Sequence, residues 1–214
     1  MTPGAQSQQP VAIIGAGAIG QTIGHLLARA GYPVVISWSS SDQRLRRAAE
    51  NIGFGARSAT PAEAVAQAGA VIFAPRFEHI DAASRAAGDL TDKILIDTTN
   101  PYNPQRDGVV DLSGQSPAEH VRSRLAGARY VKGFNTLTAT FLRGSAGRVG
   151  PDRVVVFLSG DDLEAKQAAA LLVRAAGFDP VDLGTIADSH RQSPGGDLYG
   201  EEYRLADVPT LPRL

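Results

Sequence analysis

Three glycines near the start of the chain have the spacing of a phosphate-binding turn. Gly15, Gly17 and Gly20 follow the apolar run VAII and precede a segment whose apolar residues have helical spacing. In such a turn the first glycine permits a tight bend, the second lets a pyrophosphate approach the backbone, and the third lets the helix pack on the strand. The free N–H groups of the helix N-terminus favour the anion. The pattern predicts a dinucleotide-binding turn, and the alternative is a glycine-rich turn with no ligand.

Hydroxyl side chains end the second apolar run, where an acidic residue is typical of NAD sites. Ser39, Ser40 and Ser41 follow this run, and Arg44 comes about one helical turn later. An acid here would bind a ribose 2′-hydroxyl and repel a 2′-phosphate, whereas hydroxyls and a guanidinium can bind the phosphate. The pattern favours NADP(H) over NAD(H). The alternative is a solvated turn in which Ser41 or Asp42 caps a helix.

Few other side chains could take part in chemistry. Lys132 and Asn135 stand three residues apart at the end of a predicted strand, so the two-residue period argues against a joint role, and we interpret Lys132 as a surface lysine. Asn135 either holds a carbonyl or carboxamide in the cleft or closes a turn. His79 follows a predicted strand at the cleft rim, and His190 precedes a glycine-rich segment. We assign no certain acid or base; Asn135 and His79 are candidates for positioning.

The composition argues against several classes of protein. The 214-residue chain has a formal net charge of -1 and no cysteine, which argues against a nucleic-acid partner, disulfides and thiolate chemistry. The four histidines have no metal-ligand spacing, so we predict no metal site. No apolar stretch reaches the roughly 20 residues that span a bilayer, and the first ten residues lack the features of a signal peptide. We predict a cytoplasmic protein with no membrane partner.

Apolar runs alternate with segments of helical spacing along the chain. Strands are predicted at VAII, PVVIS, AVIFAP, ILIDTTNP, RYVKGFNT, RVVVFLSG and FDPVDLG, and helices at QTIGHLLARAG, SDQRLRRAAENIG, PAEAVAQAG and DDLEAKQAAALLVRAAG. This order predicts an α/β fold of the Rossmann type, a doubly wound, mostly parallel sheet, with a small C-terminal α/β appendage. We expect a disordered lead-in at 1–9, an NADP-binding domain at 10–140, and an appendage at 141–214 that completes an acceptor cleft.

Several of these segments, in this order, resemble one known family. VAIIGAGAIGQTIGHLLARAGYPVVISWSSSDQR, ILIDTTNPYN, VKGFNT and VVVFLSGDDLEAKQAAALLVRAAGFDPVDLG are similar to the NADPH-dependent F420 reductases, the NADP oxidoreductases of the deazaflavin coenzyme. The family includes the related cytoplasmic domain of the STEAP metalloreductases, and the resemblance covers about residues 11–200. In the family a Ser-Arg pair and a later basic residue hold the 2′-phosphate. Ser39 and Arg44 match the first and third, and Ser40 stands where the arginine would be.

The resemblance also implies where the rest of the nucleotide lies. The nicotinamide is expected to pass the loop after the third predicted strand, where PRFEHI has an arginine inserted into the family pattern, and to approach Asn100 and Asn135. SPGGDLYG at 193–200 is similar to a tail motif near the second cofactor. The expected nucleotide contacts are Gly15, Ala16, Gly17, Ala18, Ile19, Gly20, Ser37, Trp38, Ser39, Ser40, Arg44, Ala74, Pro75, Arg76, His79, Asn100 and Asn135. A homodimer is implied as well.

The first functional hypothesis is an NADP(H)-dependent oxidoreductase that exchanges hydride with a flavin or deazaflavin. Only a short stretch follows the fifth predicted strand, which favours a shallow cleft. The expected acceptor there is a planar small molecule such as coenzyme F420, FMN or FAD. Such a transfer needs proximity and orientation more than a strong acid or base. The alternatives are a non-catalytic NADP(H) sensor, and a small carbonyl, imine or hydroxyacid reductase in which Lys132 or His190 would approach the nicotinamide.

Overall fold

Eight strands form one sheet in the computed structural model, which describes residues 9–214, so nearly all of the predicted lead-in lies outside the described residues. The strands are β1 (Val11–Ile14), β2 (Val34–Ser37), β3 (Arg57–Ser58), β4 (Ala70–Phe73), β5 (Ile94–Asp97), β6 (Arg129–Lys132), β7 (Val155–Ser159) and β8 (Asp179–Gly184). Their order across the sheet is β3-β2-β1-β4-β5-β6-β7-β8. The predicted Rossmann-type fold is confirmed.

Strand direction determines where a ligand crevice can form. All neighbouring strands are parallel except β6 and β7, which run antiparallel with Lys132 opposite Ser159. Strand β1 lies between β2 and β4, and Val11 is in register with Val34 on one side and with Ala70 on the other. The chain therefore winds outward in both directions from β1. Ligands of open α/β sheets bind at the carboxyl ends of the strands beside such a reversal.

Seven α-helices cover the sheet within the described residues. They are α1 (Ala18–Arg29), α2 (Asp42–Ile52), α3 (Pro61–Gln67), α4 (Ile80–Ala87), α5 (Pro117–Arg122), α6 (Ala139–Ser145) and α7 (Leu163–Ala175). The limits of α2 follow from local chemistry. The Ser41 hydroxyl accepts a hydrogen bond from the Arg44 N–H, and Gly53 ends the helix at a φ of 73°. Ser41, and not Asp42, is thus the cap.

The strand side chains alternate between two apolar layers. Val11 and Ile13 of β1 belong to the layer under α1, α2, α6 and α7, and Ala12 and Ile14 belong to the layer under α3, α4 and α5. All four residues are almost fully buried. Burial on both faces explains why the strands read as continuous apolar runs.

The structure differs from the sequence expectation in several elements. Strand β3 and helices α4 and α6 were not predicted, because a two-residue strand and helices of eight and seven residues carry too little periodicity to be recognised. Strands β7 and β8 extend the same sheet, and a tail folds over their outer face through Leu198 and Val208. The division at residue 140 stays a prediction. Within residues 9–214, no helix is long and apolar enough to cross a membrane.

Candidate functional site

The three glycines form a tight turn between β1 and α1. Gly15 has a φ of +125°, and a Cβ there would overlap the carbonyl oxygen of Ala74. A Cβ on Gly20 would overlap the carbonyl oxygen of Gly15, so this position is fixed by helix-to-turn packing. Gly17 differs, since a Cβ there would meet no atom within 4 Å and its φ of -80° suits any residue. The fold needs glycine at 15 and 20, whereas at Gly17 the open space outside the backbone is what a ligand requires.

A first groove of about 660 Å³ runs from this turn to the end of β2. Ala74 and Pro75, which follow β4, form its other wall. It is lined by Gly15, Ala16, Gly17, Gln21, Trp38, Ser39, Ser40, Arg44, Arg47, Ala48, Asn51, Ala74, Pro75, Arg76 and His79. Three arginines and no carboxylate thus line it among the described residues; Arg76 is paired with Glu78 at 2.8 Å, and no ion pair is found for Arg44 or Arg47 within residues 9–214. Such a groove attracts a polyanionic ligand.

The hydroxyl cluster forms the far corner of the first groove. Arg44 Nη1 donates to the Ser40 hydroxyl oxygen at 3.0 Å, and both side chains are exposed. Asp42 lies elsewhere: it lines a separate groove with Arg46 on the other side of the Trp38–Ser39 turn. The one nearby acid therefore does not line the corner that Ser39, Ser40 and Arg44 form.

Two predicted contacts at the end of β2 are placed differently from each other. Ser37 is fully buried, and its hydroxyl donates to the Ile13 carbonyl oxygen at 3.0 Å. Its hydroxyl is therefore already bound to protein, and the expected nucleotide contact at Ser37 stays a prediction. Its carbonyl accepts from the Gly15 N–H at 2.9 Å and holds the turn in place. Trp38 lines the first groove with a left-handed backbone, at a φ of 65°.

A second groove of about 390 Å³ continues from the first and shares Gly17, Ala74, Pro75 and Arg76 with it. The remaining lining residues come from the starts of α1 and α6, the segments that follow β4, β5 and β6, and the C-terminal tail. They are Ala18, Ile19, Phe77, Glu78, Thr98, Thr99, Asn100, Tyr102, Asn103, Arg106, Phe134, Asn135, Leu137, Thr138, Ala139, Thr140 and Tyr199. The two grooves together cross the carboxyl edge of the sheet at the reversal point.

An amide network fixes the floor of the second groove. Asn100 Nδ2 donates to the Asn135 carbonyl oxygen at 2.8 Å, and Asn135 Nδ2 donates to Asn100 Oδ1 at 3.0 Å. Asn135 Nδ2 also donates to the Gln192 carbonyl, and its Oδ1 accepts from Gln192 Nε2 at 2.8 Å. Both polar atoms of the Asn135 amide are therefore bound to protein. Its role is to join β5, β6 and the tail, and a contact with the nicotinamide stays a prediction.

Lys132 is not a surface lysine, because its side chain is only 1% exposed. Its ammonium lies 2.8 Å from Asp97 Oδ2 and also donates to the Thr99 carbonyl. Tyr130 Oη donates to the same Asp97 oxygen at 2.6 Å, and the Thr99 N–H donates to Asp97 Oδ1 at 2.8 Å. Burial lowers the pKa of Lys132 and raises that of Tyr130. This cluster supports the Thr98–Asn100 segment from below and does not line either groove.

The histidines and the residues that sequence reasoning missed complete the description. His79 lines the first groove, as expected for a rim residue, but His190 is exposed, bonds to the Ala187 carbonyl at 2.8 Å and lines neither groove. The missed lining residues include Gln21, Arg47, Asn51, Tyr102, Arg106 and Tyr199. Arg47 could have been found from its position three residues after Arg44 on one helix face. No group of His, Asp or Glu within residues 9–214 is arranged to hold a metal ion.

The two grooves form one continuous path along the carboxyl edge of the sheet. The open space beside Gly17 lies at the N-terminus of α1, where free N–H groups favour an anion, and the Ser40–Arg44 corner adds a hydroxyl and a guanidinium. The fold and the grooves thus define a dinucleotide-binding Rossmann protein. Residues 10–101 match the model of the family described as "NADP oxidoreductase coenzyme F420-dependent", so this part of the chain is similar to that family of oxidoreductases.

Individual relatives extend the similarity beyond residue 101. The metalloreductase STEAP3 of Rattus norvegicus is 31% identical over 179 residues, which are 84% of this chain and 34% of that protein, so the chain spans about a third of this curated relative. A hypothetical protein from Sinorhizobium meliloti has a crystal structure that matches with a TM-score of 0.83 at 32% identity, covering 94% of this chain and 97% of that one. A provisionally named F420-dependent NADP-reductase from an Arthrobacter species matches with a TM-score of 0.71 at 28% identity, covering 85% and 87%.

Proposed function

We propose that this protein transfers hydride between NADPH, held in the first groove, and a flavin or deazaflavin that binds from solution in the second groove. The observation that carries the proposal is the charge of the first groove, where three arginines and no carboxylate line the path among the described residues. A carboxylate would be needed to bind the 2′-hydroxyl of NAD and would repel the 2′-phosphate of NADP. The family description and the provisional name of the Arthrobacter protein support the same nucleotide and suggest coenzyme F420 as acceptor.

The residues of the first groove would bind and orient the nucleotide. The N-terminus of α1 faces the pyrophosphate position, and Ser39, Ser40 and Arg44 would bind the 2′-phosphate through hydroxyl and guanidinium groups. Arg47, one turn after Arg44, would add a second cation. When bound, the nicotinamide would supply the hydride, and the residues of the groove would supply its orientation.

The second groove is where a planar acceptor would bind, since it adjoins the first groove. Ala74 and Pro75 lie where both grooves meet, and Phe134, Leu137 and Tyr199 give the second groove apolar and aromatic surface. A conjugated ring could therefore bind there in contact with the ligand of the first groove, which is the proximity that hydride transfer requires.

The test is a screen of NADPH oxidation against coenzyme F420, FMN, FAD and small carbonyl compounds, with NADH as the parallel donor. We expect oxidation of NADPH with at least one ring acceptor and little oxidation of NADH. Tight NADPH binding with no oxidation by any acceptor would favour a non-catalytic nucleotide-binding protein. Turnover with carbonyl compounds alone would favour a carbonyl or imine reductase, although neither Lys132 nor His190 lines the second groove to act as its acid.

A further inference from the structure

Two tyrosine hydroxyls from distant parts of the chain meet at the second groove. Tyr102 follows β5 and Tyr199 belongs to the C-terminal tail, yet their Oη atoms lie 3.1 Å apart. Both residues line the second groove and are partly buried. The hydroxyl pair is therefore placed where the proposed acceptor would bind.

The hydrogen bonds around this pair leave one hydroxyl hydrogen available. Asn100 Nδ2 donates to Tyr199 Oη at 3.2 Å, and the orientation of this amide is fixed because Asn100 Oδ1 accepts from Asn135. Tyr199 Oη is thus an acceptor toward Asn100. The two hydroxyls carry two hydrogens, and the bond between them uses one. The other hydrogen has no acceptor among the described residues, so the pair can donate it to a ligand in the groove.

Both tyrosines are held by their backbones. Tyr102 forms an isolated β-bridge with Val109, and the Val110 N–H donates to the Pro101 carbonyl at 2.7 Å. The Gly200 N–H, next to Tyr199, donates to the Thr136 carbonyl at 3.1 Å. These contacts fix the two hydroxyls relative to the groove before any ligand binds, as a donor in catalysis requires.

Burial keeps Tyr199 protonated, and a cation lies beside the ring of Tyr102. Burial and the bond to Tyr102 raise the pKa of Tyr199, so the hydroxyl is neutral at physiological pH. The guanidinium of Arg106 lies 5.5 Å from the centre of the Tyr102 ring and lines the same groove. Its positive charge would stabilise a transient phenolate on Tyr102.

We propose that the Tyr102–Tyr199 pair is the proton donor to the acceptor, with Tyr102 as the catalytic residue and Tyr199 as the positioning residue. The acceptor would then be a molecule in which a ring or carbonyl atom takes the hydride and a conjugated nitrogen or oxygen takes a proton. A deazaflavin, a flavin and an imine meet this condition, and a metal ion does not. This inference rests on the proposed function, because it concerns the same transfer.

The proton and electron balance of the step is complete. The acceptor gains a hydride, which oxidises NADPH to NADP⁺, and it gains one proton from the hydroxyl pair. The O–H bond of Tyr102 breaks while an N–H or O–H bond forms on the acceptor. Tyr199 then donates its hydrogen bond to the phenolate, and water returns the proton.

The test compares Tyr102→Phe and Tyr199→Phe with Tyr32→Phe, a control at a tyrosine that lines neither groove. Without any nucleotide, the affinity for oxidised F420 and FMN is measured by fluorescence. We expect Tyr102→Phe to weaken the binding of the acceptor that wild type uses by about three- to tenfold, the equivalent of one neutral hydrogen bond, and to leave NADPH affinity within about twofold. Turnover should fall by about a hundredfold, the lower range for loss of a general acid.

The positioning role of Tyr199 has its own signature. Tyr199→Phe should lower turnover less than Tyr102→Phe and should shift the alkaline limb of the pH profile, whereas Tyr32→Phe should change neither. If none of the acceptors supports the oxidation of NADPH by the wild-type protein, the proposed function fails and this inference fails with it. If wild type is active but Tyr102→Phe keeps its turnover and its acceptor affinity, only this inference is overturned. An equal loss of NADPH affinity would also overturn it, since the tyrosine would then serve the nucleotide.

Discussion

The ammonium group of Lys132 lies 2.8 Å from the carboxylate of Asp97, and the two side chains are 1% and 0% exposed. They are the last residues of β6 and β5, paired in register across the sheet. Lys132 also donates to the Thr99 carbonyl, so the ion pair lies directly under the segment that lines the second groove. The buried ion pair joins the ends of β5 and β6, so we expect the loss of one partner to lower the stability of the fold.

Replacing Lys132 by methionine should destabilise the fold by about 3–5 kcal/mol, because it leaves the Asp97 carboxylate buried without a cation. Urea unfolding at neutral pH measures the loss. The double variant Lys132→Met with Asp97→Asn should recover a large part of it, since no buried charge remains. A loss of less than about 1 kcal/mol in the single variant would contradict this prediction.

Replacing Gly17 by valine should abolish nucleotide binding and leave the fold intact. A Cβ there meets no atom within 4 Å, and the backbone conformation suits a side chain, but the branched group would occupy the pyrophosphate position. Calorimetry gives the NADPH affinity and thermal unfolding gives the stability. Gly20→Val is the matched comparison, and it should destabilise the protein because its Cβ overlaps the Gly15 carbonyl. Unchanged NADPH affinity in folded Gly17→Val would remove the turn from the site.

The preference for NADPH over NADH should depend on the side of α2 that carries Arg44. Arg44→Ala should weaken NADPH binding by about tenfold, the lower end for a hydrogen bond to a charged group, because the side chain is exposed. NADH binding should not change. Arg46→Ala is the control, since Arg46 lines the separate groove with Asp42. The effect of Arg44→Ala should shrink as salt is raised.

Ser39→Asp tests the same corner by charge. A carboxylate there would repel a group that carries nearly two negative charges, so NADPH binding should fall sharply while NADH binding stays equal or improves. Dissociation constants for both nucleotides give the answer. Equal affinity of the wild type for NADH and NADPH would show that the serines form only a capped turn.

Lowering the pH should remove the contribution that Asp162, the N-cap of α7, makes to the stability of the fold. Hydrogen bonds from Arg129, at 2.7 and 2.9 Å, and from the Ala165 N–H lower the pKa of Asp162 to about 2 from 3.8. The pKa of Asp162 is lower in the folded protein than in the unfolded chain. Its contribution to stability is therefore present above pH 3.8 and is lost as the pH falls toward about 2. Asp162→Asn keeps a capping oxygen but no charge, so its stability should fall less over this range.

Local features of this protein could be read from the sequence because they depend on neighbours a few residues away. The glycine turn at Gly15 requires a backbone that glycine adopts readily, and the cap of α2 at Ser41 is a bond across three residues. The hydroxyls after β2 and Arg44 share one corner because one helix turn separates them. Buried strands are recognisable as apolar runs, so the mostly parallel sheet was predicted correctly except for the short strand β3.

Contacts between distant segments were decided only by the tertiary structure. Asn100 meets Tyr199 across 99 residues of chain, and Lys132 meets Asp97 across 35, and no spacing in the sequence encodes either pair. A polar residue at a strand end has the same local pattern whether it is exposed or buried. Its burial depends on which strand lies beside it and which tail covers it. The surface position expected for Lys132 was therefore wrong, and the tyrosine pair at the second groove could be seen only once the chain had folded.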